Sequence, residues 1–443
     1  MKRLLLSLAV FAAWSALSPA VSAQETPWTL ERCIAYALDH NLTVRQGSLT
    51  VQENEIAVNT ARNARLPGVF GSGSQNFSFG RGLTADNTYA NTNTTSTGFT
   101  VGAEVPVFQG FQAKHNIALQ NLNLAAATAD LERVKDDIRT AVAGAYVQAL
   151  YNREILGVAR EQTVIDSLQV VRLEEMLRSG KVSAVEVAQQ NAALAQSRYQ
   201  VTQAENNLQL SLLDLAQLLE LPTPEGFMVA VPAEGFVQPR LLPSPEDIYA
   251  DALTERPAIR AEEKRLEAAG TRVDLARSAL YPSLSLSGGV GTNYYTSSGF
   301  QSASFSEQIK NNFSQSVGLS LSIPIFNRFS TRNNIRSAEL GRKRQQLQLD
   351  ETKKSLYKEI QQAWYGAVAA QERYRSSEEV VKSARESFEL VSAKYENGKA
   401  NITEFNEAKN TLVKAESDLA QARWQQLYQT CLLDFYRGGS LAF

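Results

Sequence analysis

Phe313-Ser314-Gln315-Ser316-Val317-Gly318-Leu319-Ser320-Leu321-Ser322-Ile323 places apolar residues at most odd positions and serine or glycine at the even ones. A period of two is the signature of a strand with two unlike faces. Thr97-Gly98-Phe99-Thr100-Val101-Gly102-Ala103-Glu104-Val105 repeats the pattern, and Val69 to Phe79 and Ser283 to Tyr295 are weaker partners. Each run is about 10 residues, the length a tilted strand needs to cross a bilayer. An apolar face opposite a small polar one fits lipid outside and water inside. The segments between partners, Gly80–Asn93 and Thr296–Asn312, are rich in Asn, Ser, Thr and Gly and read as exposed loops.

The strand runs end in Val105-Pro106-Val107-Phe108 and Ile323-Pro324-Ile325-Phe326, and that likeness extends through the chain. Residues 29–67 align without a gap on 244–282, and after three extra residues the match resumes at Phe111 on Phe329, Asn116-Ile117 on Asn334-Ile335, and Gly180-Lys181 on Gly398-Lys399. A period of about 215 residues is far too long for a solenoid and indicates two large similar halves. They run from 24 to 221 and from 244 to 443, joined by a proline-rich linker at 222–243. The β-hairpins fall at about 69–108 and 283–326.

No proline occurs between Pro106 and Pro222 or after Pro324, so both gaps can hold long helices. Ile117, Leu124, Leu131, Ile138 and Ala145 recur every seven residues, as do Leu349, Leu356, Ala363 and Ala370, which is a coiled-coil seam. Ser179-Gly180-Lys181 and Asn397-Gly398-Lys399 are helix stops. Each half then has a descending helix of about 68 residues and a returning one of about 37, with a further helix of about 37 over 29–66 or 244–281. The expected fold is an α+β membrane protein: a long α-helical coiled-coil barrel with four β-strands per chain.

Lys2 and Arg3, the apolar run Leu4 to Trp14 and the small residues Val21-Ser22-Ala23 make residues 1–23 an export signal. Four strands cannot close a barrel, and an open edge in lipid is forbidden. The chain is therefore expected to oligomerise, and three copies would supply twelve strands. The net charge of −2 gives no basic surplus for nucleic acid. No nucleophile–base pair, phosphate loop or metal-spaced His/Cys set is present, which argues against an enzyme, a cofactor and a metal site. In an exported chain a disulfide between Cys33 and Cys431 is allowed, and two buried thiols are the other reading. A passive surface coiled coil is the non-transport alternative, but it needs no strand hairpins at matched points of a repeat.

With its two-fold repeat, its two strand-to-helix joints and the tip Tyr395-Glu396-Asn397-Gly398-Lys399, the chain resembles the TolC family of outer-membrane efflux proteins. The resemblance implies a homotrimer with a shared 12-stranded outer-membrane β-barrel in lipid and a helical tunnel through the periplasm. It also implies a periplasmic adaptor (membrane fusion) protein and an inner-membrane pump, of the proton-driven RND or the ATP-driven ABC type. The tips Gly180, Lys181, Gly398 and Lys399 are the implied adaptor-docking points. Glu404 and Glu407 match the acidic pair that rings the closed entrance, although the residues alone also read as helix-start acids. Glu186, Glu175 and Tyr395 match the latch that holds the entrance shut; Ala400 stands where its arginine is usual, with Lys399 beside it. The expected function is an exit duct for small-molecule efflux, with type I protein secretion as the alternative.

Overall fold

A computed structural model of the chain describes residues 27–83, 87–222, 226–232, 241–298 and 301–441. The export signal and much of the linker lie outside these residues. The elements run α1 (Leu30–His40), α2 (Leu42–Asn63), β1 (Gly68–Leu83), β2 (Tyr89–Gln109), α3 (Gln112–Arg178) and α4 (Ala184–Leu218), then α5 (Pro245–Glu255), α6 (Pro257–Ser278), β3 (Ser283–Ser297), α7 (Phe305–Asn311), β4 (Ser314–Ser322), α8 (Ser330–Glu396) and α9 (Ile402–Tyr436). Helices α3 and α8 have 67 residues each, and α4 and α9 have 35. No described helix is long and apolar enough to cross a membrane.

The segments expected as single helices at 29–66 and 244–281 are each two helices. Asn41 adopts extended backbone between α1 and α2. Its N–H donates to Ala37 (2.8 Å) and its Nδ2 donates to the Leu218 carbonyl (3.0 Å). In the second half Pro257 opens α6 and holds Arg256 extended ahead of it. The strands are longer than expected in three cases of four, at 16, 21 and 15 residues, with 9 in β4. Most of the segment read as the loop Gly80–Asn93 is paired strand, from Arg81↔Asn91 to Leu83↔Tyr89. The second loop carries the short helix α7, capped by Ser304.

The chain forms two compact units that cut across the two sequence halves. One comprises Thr43–Lys135 and Glu246–Ile360. It contains the antiparallel sheet, in the order β1-β2-β3-β4. Register assigns the faces, since directly paired residues share a side. Val69, Ala103, Gly288 and Val317 form one row, and Leu286 pairs with both Val105 and Leu319 on that same face. The other face carries Ser72, Ser74, Thr100, Ser285, Ser287, Ser316 and Ser320. The apolar face is bare in the single chain: Val317 is 83% exposed and Val69 73%. A bulge at Pro106–Phe108 leaves Val107 without a partner and sets Phe108 opposite Leu284. Proline, lacking an N–H, is at home at such an irregularity.

The strand-to-helix joints are built alike. Gly110 and Phe111 have φ of 58° and 67°, and Arg328 and Phe329 have 55° and 62°. Phe108 meets Phe111 edge-on at 5.4 Å, as Phe326 meets Phe329 at 5.5 Å. The helical part of this unit closes on small residues, among them Ala126, Ala261, Ala268 and Ala269. Arg265 cross-links it by donating to Asp130 and Glu262, and Gln345 donates to Glu262 at 2.6 Å. Of the two heptad rows, Leu349, Leu356, Ala363 and Ala370 are buried; Ile117, Leu124, Leu131, Ile138 and Ala145 are half-buried.

The other unit comprises the residues up to Leu42, Asp136–Pro245 and Gln361–Phe443. Its core joins Leu30, Cys33 and Ala37 of α1 to Val142, Tyr146 and Leu150 of α3, Leu215 and Leu219, and Leu427 and Phe435 of α9. The Tyr146 hydroxyl donates to the Ala230 carbonyl (2.6 Å) and shares its proton with the Trp28 carbonyl (3.0 Å), which ties a described part of the linker to the core. Both cysteines are thiols; no disulfide joins them, although Cys431 packs against the cluster that encloses Cys33. Burial pushes the Cys33 thiol up to about 12, which keeps it protonated.

Candidate gate at the hairpin tips

Within that second unit, α3 and α4 form one helical hairpin, and the end of α8 and α9 form another. Both turns are Schellman motifs. Lys181 N–H donates to Met176 (2.8 Å) and Gly180 N–H to Leu177 (2.9 Å); Lys399 N–H donates to Lys394 (2.8 Å) and Gly398 N–H to Tyr395 (3.0 Å). Gly180 and Gly398 have φ of 69° and 68°, the left-handed region that this motif requires and that side chains resist.

The returning helices are capped alike. Ser183 and Glu186 form a capping box: Glu186 N–H donates to Ser183 Oγ (3.3 Å) and Ser183 N–H to Glu186 Oε1 (3.2 Å). In the second hairpin Glu404 N–H donates to Asn401 Oδ1 (2.9 Å), and Asn401 Nδ2 returns a bond to Glu404 Oε1 (2.9 Å). Glu186 and Glu404 are thus the same capping residue in two copies. Glu407, one turn on, is exposed and has no bonded side-chain partner among the described residues. Gln189 holds its place in the first hairpin.

Behind the acidic pair, α9 turns Ile402, Phe405, Lys409 and Leu412 inward. Ile402 and Phe405 meet Leu173 of α3 and Tyr395 of α8 in an apolar plug. The Tyr395 and Phe405 rings lie 5.2 Å apart, and Phe388 and Phe405 5.4 Å. Burial raises the Tyr395 hydroxyl above the usual tyrosine range; the nearby Glu186 adds to the rise and Arg172 opposes it. The Tyr395 hydroxyl and the adjacent Gln169 Nε2 both lack a hydrogen bond of normal geometry.

Next to the plug is an element that spacing arguments passed over. Lys409 and Asp166, 2% and 0% exposed at their side chains, form an ion pair between α9 and α3. Gln190 Nε2 donates to the same Asp166 oxygen (3.0 Å), Asn406 Nδ2 to Gln190 Oε1 (3.3 Å), and Lys409 to Asn406 Oδ1 (3.3 Å). Four side chains from three helices so close a ring that joins the second hairpin to the first. Asp166 Oδ2 and Gln162 Oε1, on the same face of α3, are buried without partners. The seam is therefore tied but polar and incompletely satisfied, unlike an apolar core.

The three residues matched to a latch lie apart. Tyr395 sits in the plug with Glu186 near it, while Glu175 pairs on its own helix with Arg178 (2.9 Å). The Arg172 guanidinium lies 5.8 Å from the Tyr395 ring centre and reaches Glu396 at 3.3 Å. Lys399 is exposed, and its backbone closes the turn.

The outer membrane efflux protein family matches this chain twice, at residues 33–220 and 248–439. The pyoverdine export outer membrane protein OpmQ of Pseudomonas aeruginosa is 28% identical over 358 residues, covering 78% of this chain and 72% of that protein. Protein CyaE of Bordetella pertussis is 28% identical over 400 residues, covering 89% and 79%. Among solved structures, CusC superposes with a TM-score of 0.77 at 21% identity over 93% of this chain and 92% of that one, and VceC of Vibrio cholerae with 0.75 at 18%, over 93% and 96%. The chain belongs to the outer membrane efflux protein family, channel proteins rather than enzymes, which form trimers in the outer membrane, extend into the periplasm and work with a periplasmic adaptor and an inner-membrane pump.

Proposed function

We propose that this duct exports small molecules and is closed at its periplasmic entrance by the second hairpin, with Glu407 and Glu404 as the gate ring and the turns at Gly180–Lys181 and Gly398–Lys399 as the adaptor-docking tips. The observation that carries this is the difference between two otherwise matching tips. Each has a Schellman turn and a capping glutamate, but only the second has an additional carboxylate one helical turn on. Glu404 is partly spent on its cap, so Glu407 is the stronger of the pair. Three copies would gather six carboxylates, a charge that attracts cations and repels anions. The ring Lys409–Asp166–Gln190–Asn406 and the Tyr395 plug supply the hold between the hairpins, and its unsatisfied polar atoms make that hold one that can be released.

The small-molecule reading draws on relatives named as pyoverdine exporters, at 28% and 25% identity. In planar bilayers, Glu407→Gln is expected to remove most of the block by divalent cations applied from the periplasmic side, and Glu404→Gln a smaller part. Block that persists in the double variant ends the gate-ring assignment.

A further inference from the structure

The four strands contain two charged residues, Arg81 and Glu104. Arg81 lies near the loop end of β1, on the face of the apolar residues, with its guanidinium 5.8 Å from the Tyr89 ring centre. Glu104 is the one charge on the small polar face. It occupies a cross-strand row made of Gly68, Glu104, Ser287 and Gly318, with no other charged member. In the next row on that face, the Phe70 ring lies over Gly102, where an added Cβ would come within 2.7 Å of it. Glu104 is exposed, and no hydrogen bond or ion pair engages its carboxylate among the described residues. It sits five residues from the end of β2, at the end of the sheet joined to the helices rather than the end closed by loops.

We infer that Glu104 is a second selectivity element: in the closed barrel, three Glu104 carboxylates ring the lumen where the strands pass into the helices and favour cations over anions. The face assignment follows from the register, since the side with Val69, Val101, Leu286 and Val317 must meet lipid and leaves the glycine and serine side to water. Twelve strands spaced ~4.8 Å apart and tilted by ~40° enclose a lumen of about 12 Å backbone radius. Three charges in a belt ~10 Å tall then amount to a fixed charge on the order of 1 M, roughly ten times a 0.1 M bath. No cationic side chain shares the row to cancel it. The repeat sharpens the assignment: the position equivalent to Glu104 in the second half is Ser322, so the barrel ring has three carboxylates where the duplication had room for six.

The inference rests on the trimeric duct, so the test is run with the tip carboxylates removed. Permeability ratios for potassium over chloride are measured across a salt gradient in planar bilayers, on trimers carrying Glu404→Gln and Glu407→Gln. That background is expected to retain a cation preference. Adding Glu104→Gln should lower the ratio about threefold or more, and adding Ser322→Glu should raise it, with both effects shrinking at 1 M salt as screening shortens. A ratio unchanged by Glu104→Gln in trimers that conduct overturns the inference. If Glu104→Gln fails to assemble, Ser322→Glu is read alone, and an unchanged ratio there is equally fatal. Absence of any conductance from the unmodified protein would instead remove the duct itself.

Discussion

Lys409 shows how much one residue of the seam between the two hairpins controls. Its charge is buried, and so is that of Asp166. A buried pair adds little net stability over an apolar pair, but removing one partner leaves the other uncompensated. Lys409→Met is therefore expected to cost about 3–5 kcal/mol, and Lys409→Met with Asp166→Leu to recover most of that loss. Thermal denaturation of the detergent-solubilised trimer, with trypsin cleavage near the tips as a local readout, checks both; a double variant as weak as the single one refutes the pairing argument. The position was legible in principle. Ile402, Phe405, Lys409 and Leu412 follow helical spacing, and a lysine in an apolar row signals a buried partner. The partner was not legible, because Asp166 is 243 positions away and looks like any solvated acid on a long helix. The tip glycines and Glu404, by contrast, are set by local backbone chemistry and could be read directly.

Cys33 gives a second prediction at this scale. Its thiol is raised by burial from 9.0 to about 12, so between those values the folded chain holds a proton that the unfolded chain has released. Stability tied to Cys33 is thus complete below about pH 9 and is lost as pH rises towards 12, at up to about 1.4 kcal/mol per pH unit. The buried Tyr146 hydroxyl is also raised and acts in the same direction. Melting temperature should fall above pH 9, and Cys33→Ala should flatten that fall; an identical slope in the variant excludes the thiol as its source.

Among the elements, the two strand-to-helix joints are a natural experiment in backbone strain. In the first copy Gly110 occupies the left-handed position, and a Cβ there would come within 2.4 Å of the Ser278 carbonyl. In the second copy Arg328 holds the same conformation with a side chain, at roughly 1–2 kcal/mol of strain. Gly110→Ala should destabilise the trimer by about 2 kcal/mol or more, combining strain with a backbone clash, while Arg328→Gly should stabilise it by up to about 1 kcal/mol. Heat-dependent dissociation of the trimer measures both, and equal effects at the two joints would contradict the geometry. Proline and phenylalanine made these joints recognisable in the sequence. The bulge at Pro106 and the break at Asn41 were hidden, since one depends on the neighbouring strand and the other on the Leu218 carbonyl. The outer parts of β1 and β2 depart from the loop expectation for a related reason. Their Asn, Thr and Gly content resembles a loop, yet each residue from Gly80 to Leu83 has a partner across the sheet.

Across the whole molecule, the sheet makes sense only when shared. The outer edges of β1 and β4 have no partner strand within one chain, and the apolar face of the sheet is bare. Lipid and two neighbouring chains must supply what is missing, which is why alternation with no soluble core was informative in the sequence although the number of chains was not. The two faces then carry opposite tolerances. Val317 and Ser316 are neighbours in β4 and project to opposite sides, Val317 in the row of Val69 and Ala103, Ser316 in the row of Phe70 and Gly102. Lysine on the lipid side of a barrel costs up to about 2–4 kcal/mol near the midplane for each chain, and the trimer repeats it three times. Lysine on the wet side meets water at little cost. Val317→Lys should therefore reduce the yield of membrane-inserted trimer sharply. Ser316→Lys should leave assembly intact while shifting ion selectivity towards anions, since three added cations would oppose Glu104 on the same face. Gel mobility of unheated trimers and bilayer permeability ratios read the two outcomes separately. Equal tolerance at both positions would mean that the register does not sort lipid from lumen, and the barrel assignment of Glu104 would fall with it.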